Sequence, residues 1–184
     1  VAVCPEKACR TPWFDTAGLV VAHELRHAWL DSAFMALTGL GSLFVLVPAV
    51  AWFAWRSSAR KRVDAVFVGA ALAGAVLMAH AAKWLIARPR PDLFPALVEM
   101  PPDASFPSAH TIQITAGVAA CLLRPGHTPA ASEVVAGGML IAAVSLSRIY
   151  LQVHFPSDVM VGVVSALAWV MALRCLPVWK GVLR

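Results

Sequence analysis

Residues 63–87 read VDAVFVGAALAGAVLMAHAAKWLIA. Apart from Asp64, His80 and Lys83, the whole run is apolar. At a rise of about 1.5 Å per residue it exceeds the roughly 30 Å of a bilayer hydrocarbon core. A segment of this kind must satisfy its backbone internally, which in lipid means a helix or a closed barrel. Its length points to a transmembrane helix.

The rest of the chain repeats the pattern. Apolar blocks run from about Ala33 to Trp55, Ser108 to Leu123, Ser132 to Arg148 and Pro156 to Leu176. The third and fourth of the five blocks are slightly short, but polar residues at their ends can sit among lipid headgroups. Of the 184 residues, 60% are hydrophobic and 14% charged, with mean hydropathy +0.74. Soluble domains carry about 25% charged residues. The expected fold is therefore all-α: an integral membrane helical bundle of about five transmembrane helices. Thr16 to Ser32 predicts an amphipathic interfacial helix, in which Leu19, Val20, Ala22, Leu25, Trp29 and Leu30 alternate with His23, Glu24, Arg26, His27 and Asp31. Residues 1–32 then form an N-terminal segment and 33–184 one transmembrane domain.

Net charge is +5, but no basic stripe is interleaved with aromatics, so a nucleic-acid partner is not expected. The polar residues 1–15, broken by Pro5 and Pro12, do not fit a signal peptide. Cys4 and Cys9 could pair if that end is extracytoplasmic. Cys121 and Cys175 read as small core residues. Arg56, Arg60, Lys61 and Arg62 share one short loop, and five spans put Arg124, Arg174, Lys180 and Arg184 on the same side. The positive-inside rule makes that side cytoplasmic. Residues 88–107, with six prolines, and 149–155 are then extracytoplasmic.

Polar residues gather at those outer ends in three places. Lys83 lies near the end of an apolar helix, and Arg90-Pro91 follows about two turns later, so both cations can face one pocket. Phe106-Pro107-Ser108-Ala109-His110 opens the third span, where Ser108 is a natural N-cap followed by free N–H groups. Ser147-Arg148 precedes His154 and Asp158, and Pro156 suits a first helical position that brings Asp158 close to His154. Three cations, two histidines, a helix N-terminus and a carboxylate at one membrane face describe a phosphate site. A histidine can be a nucleophile when a carboxylate holds its other nitrogen. A second histidine can protonate a leaving oxygen.

Lys-x6-Arg-Pro, Pro-Ser-x-His and Ser-Arg-x5-His-x3-Asp, in that order, resemble the three-part signature of the type 2 phosphatidic acid phosphatase superfamily. The resemblance covers roughly Val63 to Leu176. One departure is Ala109, where the family often has glycine; the backbone N–H survives it. The resemblance implies that His154 attacks phosphorus and becomes phosphohistidine, and that Asp158 orients it. It implies that His110 protonates the leaving group and then activates water. Lys83, Arg90, Arg148, Ser108 and the Ala109 N–H would bind the phosphate oxygens. No metal or cofactor is expected, because the three cations take a metal's role. The implied function is hydrolysis of a lipid phosphate or diphosphate at the extracytoplasmic face of the plasma (inner) membrane. Undecaprenyl diphosphate, phosphatidylglycerol phosphate and phosphatidic acid are the substrates the family suggests, the first slightly favoured. Vanadium-dependent haloperoxidases resemble the same motifs but are soluble.

Arg88 and Asp92 flank the first motif and read as loop ion-pair residues. A rival lies in His23-Glu24-Leu25-Arg26-His27, which fits H-E-x-x-H, the pattern of zinc peptidases. On a continuous helix its histidines would share a face, although no third ligand is evident. A non-catalytic lipid-phosphate binder is the remaining alternative.

Overall fold

The computed structural model describes residues 11–56 and 59–180. Cys4 and Cys9 lie outside the described residues. Eight helices follow in order: α1 (Trp13–Glu24), α2 (Ala28–Thr38), α3 (Leu43–Trp55), α4 (Ala59–Ile86), α5 (Ala109–Leu123), α6 (Ala131–Tyr150), α7 (Pro156–Cys175) and α8 (Pro177–Lys180). No strand occurs among the described residues. Among the described residues three helices are long and apolar enough to cross a membrane: Arg62–Ile86 within α4, α6 and α7. The α2–α3 pair makes a fourth if its two halves, bent by 50°, count as one span. The block from Ala33 to Trp55 is thus not one straight helix. A 3-10 turn at Gly39–Gly41 breaks it, and Ser42 restarts it by accepting the Phe44 N–H at 3.2 Å.

Helix α5 is only 15 residues long and sits in the middle, packed on α4, α6 and α7. In lipid the hydrophobic effect does little to join helices, so close backbone approach must supply the packing. The sequence provides small side chains for it. Ala71, Ala75 and Ala79 recur every fourth residue on α4 and share a core with Ala116, Ala119 and Ala120 of α5 and Ala166 of α7. Gly74 makes room for the Trp169 indole, which a Cβ there would meet at 2.1 Å. That indole donates to the Ala71 carbonyl at 2.9 Å, so one glycine ties α4 to α7.

Two expectations change here. The amphipathic helix from Thr16 to Ser32 is two pieces. It stops at Glu24, and His27 takes an extended conformation (φ −153°, ψ 141°) before α2 begins. Leu19 and Ala22 are buried while Leu25 and Trp29 are exposed, so the supposed apolar stripe divides. Cys121 and Cys175 are exposed on the outside of the bundle, not small core residues; the helices that carry them turn those faces away from their neighbours.

The antiparallel course puts the end of α4, the start of α5, the end of α6 and the start of α7 at one end of the bundle. Basic residues cluster at the other. There Arg124 lies 3.7 Å from Asp64, and Arg174 donates to the Leu123 carbonyl.

Candidate active site

His154 sits in the short turn between α6 and α7, 1% exposed. The turn is tight: the Val153 and His154 N–H groups both reach the Arg148 carbonyl at 3.2 Å, and Gln152 adopts φ 60°. Pro156 then starts α7, as its fixed φ favours. That start places Asp158 in the first turn, where its Oδ2 accepts the Phe155 N–H at 3.0 Å. The other oxygen, Oδ1, accepts from Arg88 at 2.7 Å.

The two nitrogens of His154 face different surroundings. Nε2 lies 3.2 Å from Arg90 Nη1. A guanidinium can only donate, so Nε2 carries the lone pair and Nδ1 the hydrogen. Nδ1 looks toward Asp158 Oδ2 at 3.6 Å, with Ser105 Oγ at 3.5 Å. Ser105 itself donates to Asp158 Oδ2. Such contacts are loose and tighten when positive charge develops on the ring. Burial drives the imidazole down to about 4; the Asp158 bond pulls against this, and the Arg148 and Arg90 charges add to it. The ring is therefore neutral at physiological pH, with its lone pair toward the cations.

Arg90 stands at Nε2, Arg148 is near enough to act on the same ring, and Lys83 is near enough to act on His110. Arg90 also donates to the Val153 carbonyl at 2.8 Å, which aims it at the histidine turn. Lys83 and Arg148 are buried. Arg148 spends one N–H on Thr38 Oγ1 at 2.5 Å, while its buried Nε has no partner. An orphaned charged donor of this kind calls for an anion. Ser108 occupies the N-cap of α5 but does not cap it; its Oγ accepts from Thr111 at 3.0 Å. Ala109 and His110 are the first two residues of α5, so their N–H groups have no acceptor within the helix. Arg148, His154, Lys83 and Arg90 all lie close enough to act electrostatically on His110. Gly41, in the 3-10 turn, presses on it: a Cβ there would stand 3.0 Å from His110 Cβ and 3.1 Å from its carbonyl. The structure thus brings all eight expected residues to one end of the bundle.

Several participants escape a reading of the sequence. Asp103 reaches both outer cations, at 2.5 Å from Arg90 Nη2 and 3.1 Å from Lys83 Nζ. Its own carbonyl and that of Ala104 accept from the same two cations. An open cavity of about 390 Å³ and mixed polarity between Arg90, Met100 and Asp103 marks this spot. Larger cavities of about 530 and 460 Å³ are apolar and lie on the flanks of the bundle. Ser105 is fully buried between His154 and Asp158. Both acidic and hydroxyl residues lie in a proline-rich loop whose sequence holds no periodicity to announce them. Arg88, expected as a loop ion-pair residue, is one, but its partners are Asp158 and Asp15. Asp92 is exposed and forms no ion pair among the described residues.

The H-E-x-x-H pattern does not assemble. Its helix ends at Glu24, His23 stacks on Phe94 with 3.9 Å between ring centroids, and the His27 N–H goes to the Tyr150 hydroxyl. Among the described residues no three His, Cys, Asp or Glu side chains converge as a metal site would require.

The chain belongs to the PAP2 superfamily, whose profile matches residues 64–181. A decaprenylphosphoryl-5-phosphoribose phosphatase of Mycobacterium tuberculosis is 42% identical over 107 residues, 56% of either chain. The chain therefore spans little more than half the length of that relative. Phosphatidylglycerophosphatase B of Bacillus subtilis is 29% identical over 80% of this chain and 75% of its own. Among solved structures, the transmembrane PAP2-type phosphatidylglycerolphosphate phosphatase from Bacillus subtilis superposes with TM-score 0.75 and 26% identity, over 87% of this chain and 82% of that one. Aquifex aeolicus LpxE shares the fold, with TM-score 0.76 over 94% and 98% at 19% identity.

Proposed function

We propose that this chain is a membrane lipid phosphatase that works through a phosphohistidine at His154. The observation that carries the reading is the polarity of that ring: Nδ1 faces Asp158, and the Nε2 lone pair faces Arg90. In the first step Nε2 attacks phosphorus and the bond from phosphorus to the lipid oxygen breaks; His110, whose free imidazole is held down to about 3 by burial and the surrounding cations, takes up a proton as the phosphate's negative charge arrives and gives it to that oxygen. Positive charge appearing on the ring is met by Asp158. Charge on the phosphoryl oxygens is met by Lys83, Arg90 and Arg148, aided by Ser108 and the Ala109 N–H. Water, giving its proton to His110, then attacks phosphorus; the bond to nitrogen breaks and phosphate leaves. Preorganised donors of this type are commonly worth 10²–10³ in rate each.

The substrate proposed is a phosphate monoester on a polyprenyl-linked sugar or a phospholipid. The decaprenylphosphoryl-5-phosphoribose phosphatase and the phosphatidylglycerophosphatase among the relatives support this class, and undecaprenyl diphosphate remains the second reading. The site end is proposed to face away from the cytoplasm, because the basic loops gather at the opposite end. The division into an N-terminal segment (1–32) and a phosphatase domain (33–184) is likewise proposed, with the boundary qualified by the run of α2 from Ala28.

The test is phosphate release from a panel of lipid phosphates in detergent, comparing wild type with His154→Ala and His110→Ala. Loss of release in both, with labelled phosphate trapped on histidine in the wild type, is expected. Full turnover by His154→Ala refutes the mechanism.

A further inference from the structure

Helix α1 precedes the PAP2 match, yet it enters the site. Asp15 in its first turn is fully buried. It accepts from Arg88 Nη2 at 2.7 Å, from the Ser157 N–H at 2.8 Å and from Ser157 Oγ at 2.7 Å. Arg88 in turn donates from Nη1 to Asp158 Oδ1 and to Ser157 Oγ, both at 2.7 Å. Its guanidinium carbon lies 4.1 Å from the centre of the Phe155 ring, which seals it from above or below. One turn along α1, Gly18 lies so close to the start of α7 that a Cβ would stand 2.5 Å from Pro156 Cγ. The absence of a side chain there lets α1 come near enough for Asp15 to reach Ser157.

We infer that Asp15 and Arg88 are positioning residues for the nucleophile, acting through Asp158, and that α1 is part of the catalytic apparatus. The inference rests on the reading of His154 as nucleophile. Two effects follow from the geometry. The first is orientation. Arg88 grips Oδ1, which fixes the carboxylate plane and leaves Oδ2 for Ser105 and the His154 ring. A planar guanidinium holds two carboxylates in a set geometry with its rigid fork of N–H donors, which a point-charge ammonium on a flexible stem does not. The second is charge. Two carboxylates and one guanidinium leave the buried cluster with a surplus of one negative charge. Attack by a neutral imidazole places one positive charge on the ring beside that cluster. Arg88 and Asp158 alone would sum to zero, so the surplus comes from Asp15. Fixed charge placed where charge develops lowers the barrier in a site sheltered from water. Removing one member of a buried set leaves its partners uncompensated, so the effect is large.

The experiment uses the full chain in detergent with dioctanoyl phosphatidic acid as probe. Asp15→Asn keeps the shape and the contact to Ser157 but removes the charge; Arg88→Ala removes the bridge; Arg88→Lys keeps a point charge. Expected are kcat reductions on the order of 10–100-fold for Arg88→Ala, the range seen when partners that orient a histidine are lost. KM should stay within about threefold, because the phosphate-binding cations are untouched. Asp15→Asn should also lower kcat, and Arg88→Lys should recover only part of the loss. The Asp15→Asn/Arg88→Ala double variant should lose less than the product of the two single losses, since the orienting effect of both runs through one bridge. Added guanidinium ion should partly restore Arg88→Ala. A purely structural role predicts lower thermal stability with wild-type kcat in the folded fraction, and that result overturns the inference. If Arg88→Ala fails to fold, Asp15→Asn decides the question: unchanged kcat in a folded protein is equally fatal. Should His154→Ala turn over normally, or the wild type leave the probe intact, the underlying assignment fails instead.

Discussion

Lys83 and Arg90 hold an anion of the protein's own, the Asp103 carboxylate. A phosphate that uses these cations must displace it, so Asp103→Asn is expected to tighten phosphate binding. The magnitude follows from the geometry. The two ion pairs are short, but the Asp103 side chain is 49% exposed, so water screens them. Screened pairs are worth about 0.2–1 kcal/mol each. Together the two oppose phosphate by about 0.4–2 kcal/mol, which is roughly a 2- to 30-fold change in affinity. Burial disfavours the Asp103 carboxylate, but the Arg90 hydrogen bond and the Lys83 charge outweigh it and hold the group below its usual range. The competitor is therefore charged across the neutral range, and the difference between wild type and variant should vanish only in strong acid. The assay is competitive inhibition of lipid-phosphate hydrolysis by inorganic phosphate, at about 0.05 and 1 M salt. The Asn variant should show the lower inhibition constant, and high salt should shrink the gap as the screening length falls to about 3 Å. An unchanged or higher constant in the variant refutes the reasoning; it would mean that Asp103 aims the two cations and does not compete for them.

Other outcomes follow from the same contacts. Because burial holds His154 near 4, the acid limb of kcat/KM due to this group should fall near pH 4, and a limb centred near 6.5 would contradict it. The linked stability has a definite sign: the folded value lies below the unfolded one, so the unfolded chain gains the proton first and stability is lost as pH drops from about 6.5 to about 4. Gly41→Ala would place a methyl 2.8 Å from Val144 Cγ1 and against the His110 backbone. It should cost about 1–3 kcal/mol in unfolding experiments and lower turnover by shifting His110; wild-type behaviour in both would count against the packing described. His23→Ala and His27→Ala, separately, should leave lipid-phosphate turnover within about threefold, since neither imidazole touches the site, and elemental analysis should find no zinc lost with them.

The helices and the ends at which chemistry gathers were legible in the sequence because a bilayer enforces local order. Backbone groups in lipid have no water to bond, so each apolar run closes on itself as a helix. A buried cation or carboxylate at the end of such a run is costly without a purpose. Lys83, His110, Arg148 and Asp158 could therefore be singled out as candidates by position, at helix ends, with Arg90 and His154 in the segments that follow such ends. What tertiary structure alone decided depends on contacts between distant residues. Asp15 looked like one acid in a polar, proline-broken leader; it is a buried anchor only because Gly18 lets α1 reach α7 and because Arg88 arrives from 73 residues away. Ser105 and Asp103 come from a loop without periodicity, and their neighbours are set by where that loop crosses the bundle end. The bend at Gly39–Gly41 escaped because its residues are apolar and its close neighbours, His110 of α5 and Val144 of α6, are distant in sequence. Hydropathy sees each segment against the lipid, and these residues owe their roles to one another.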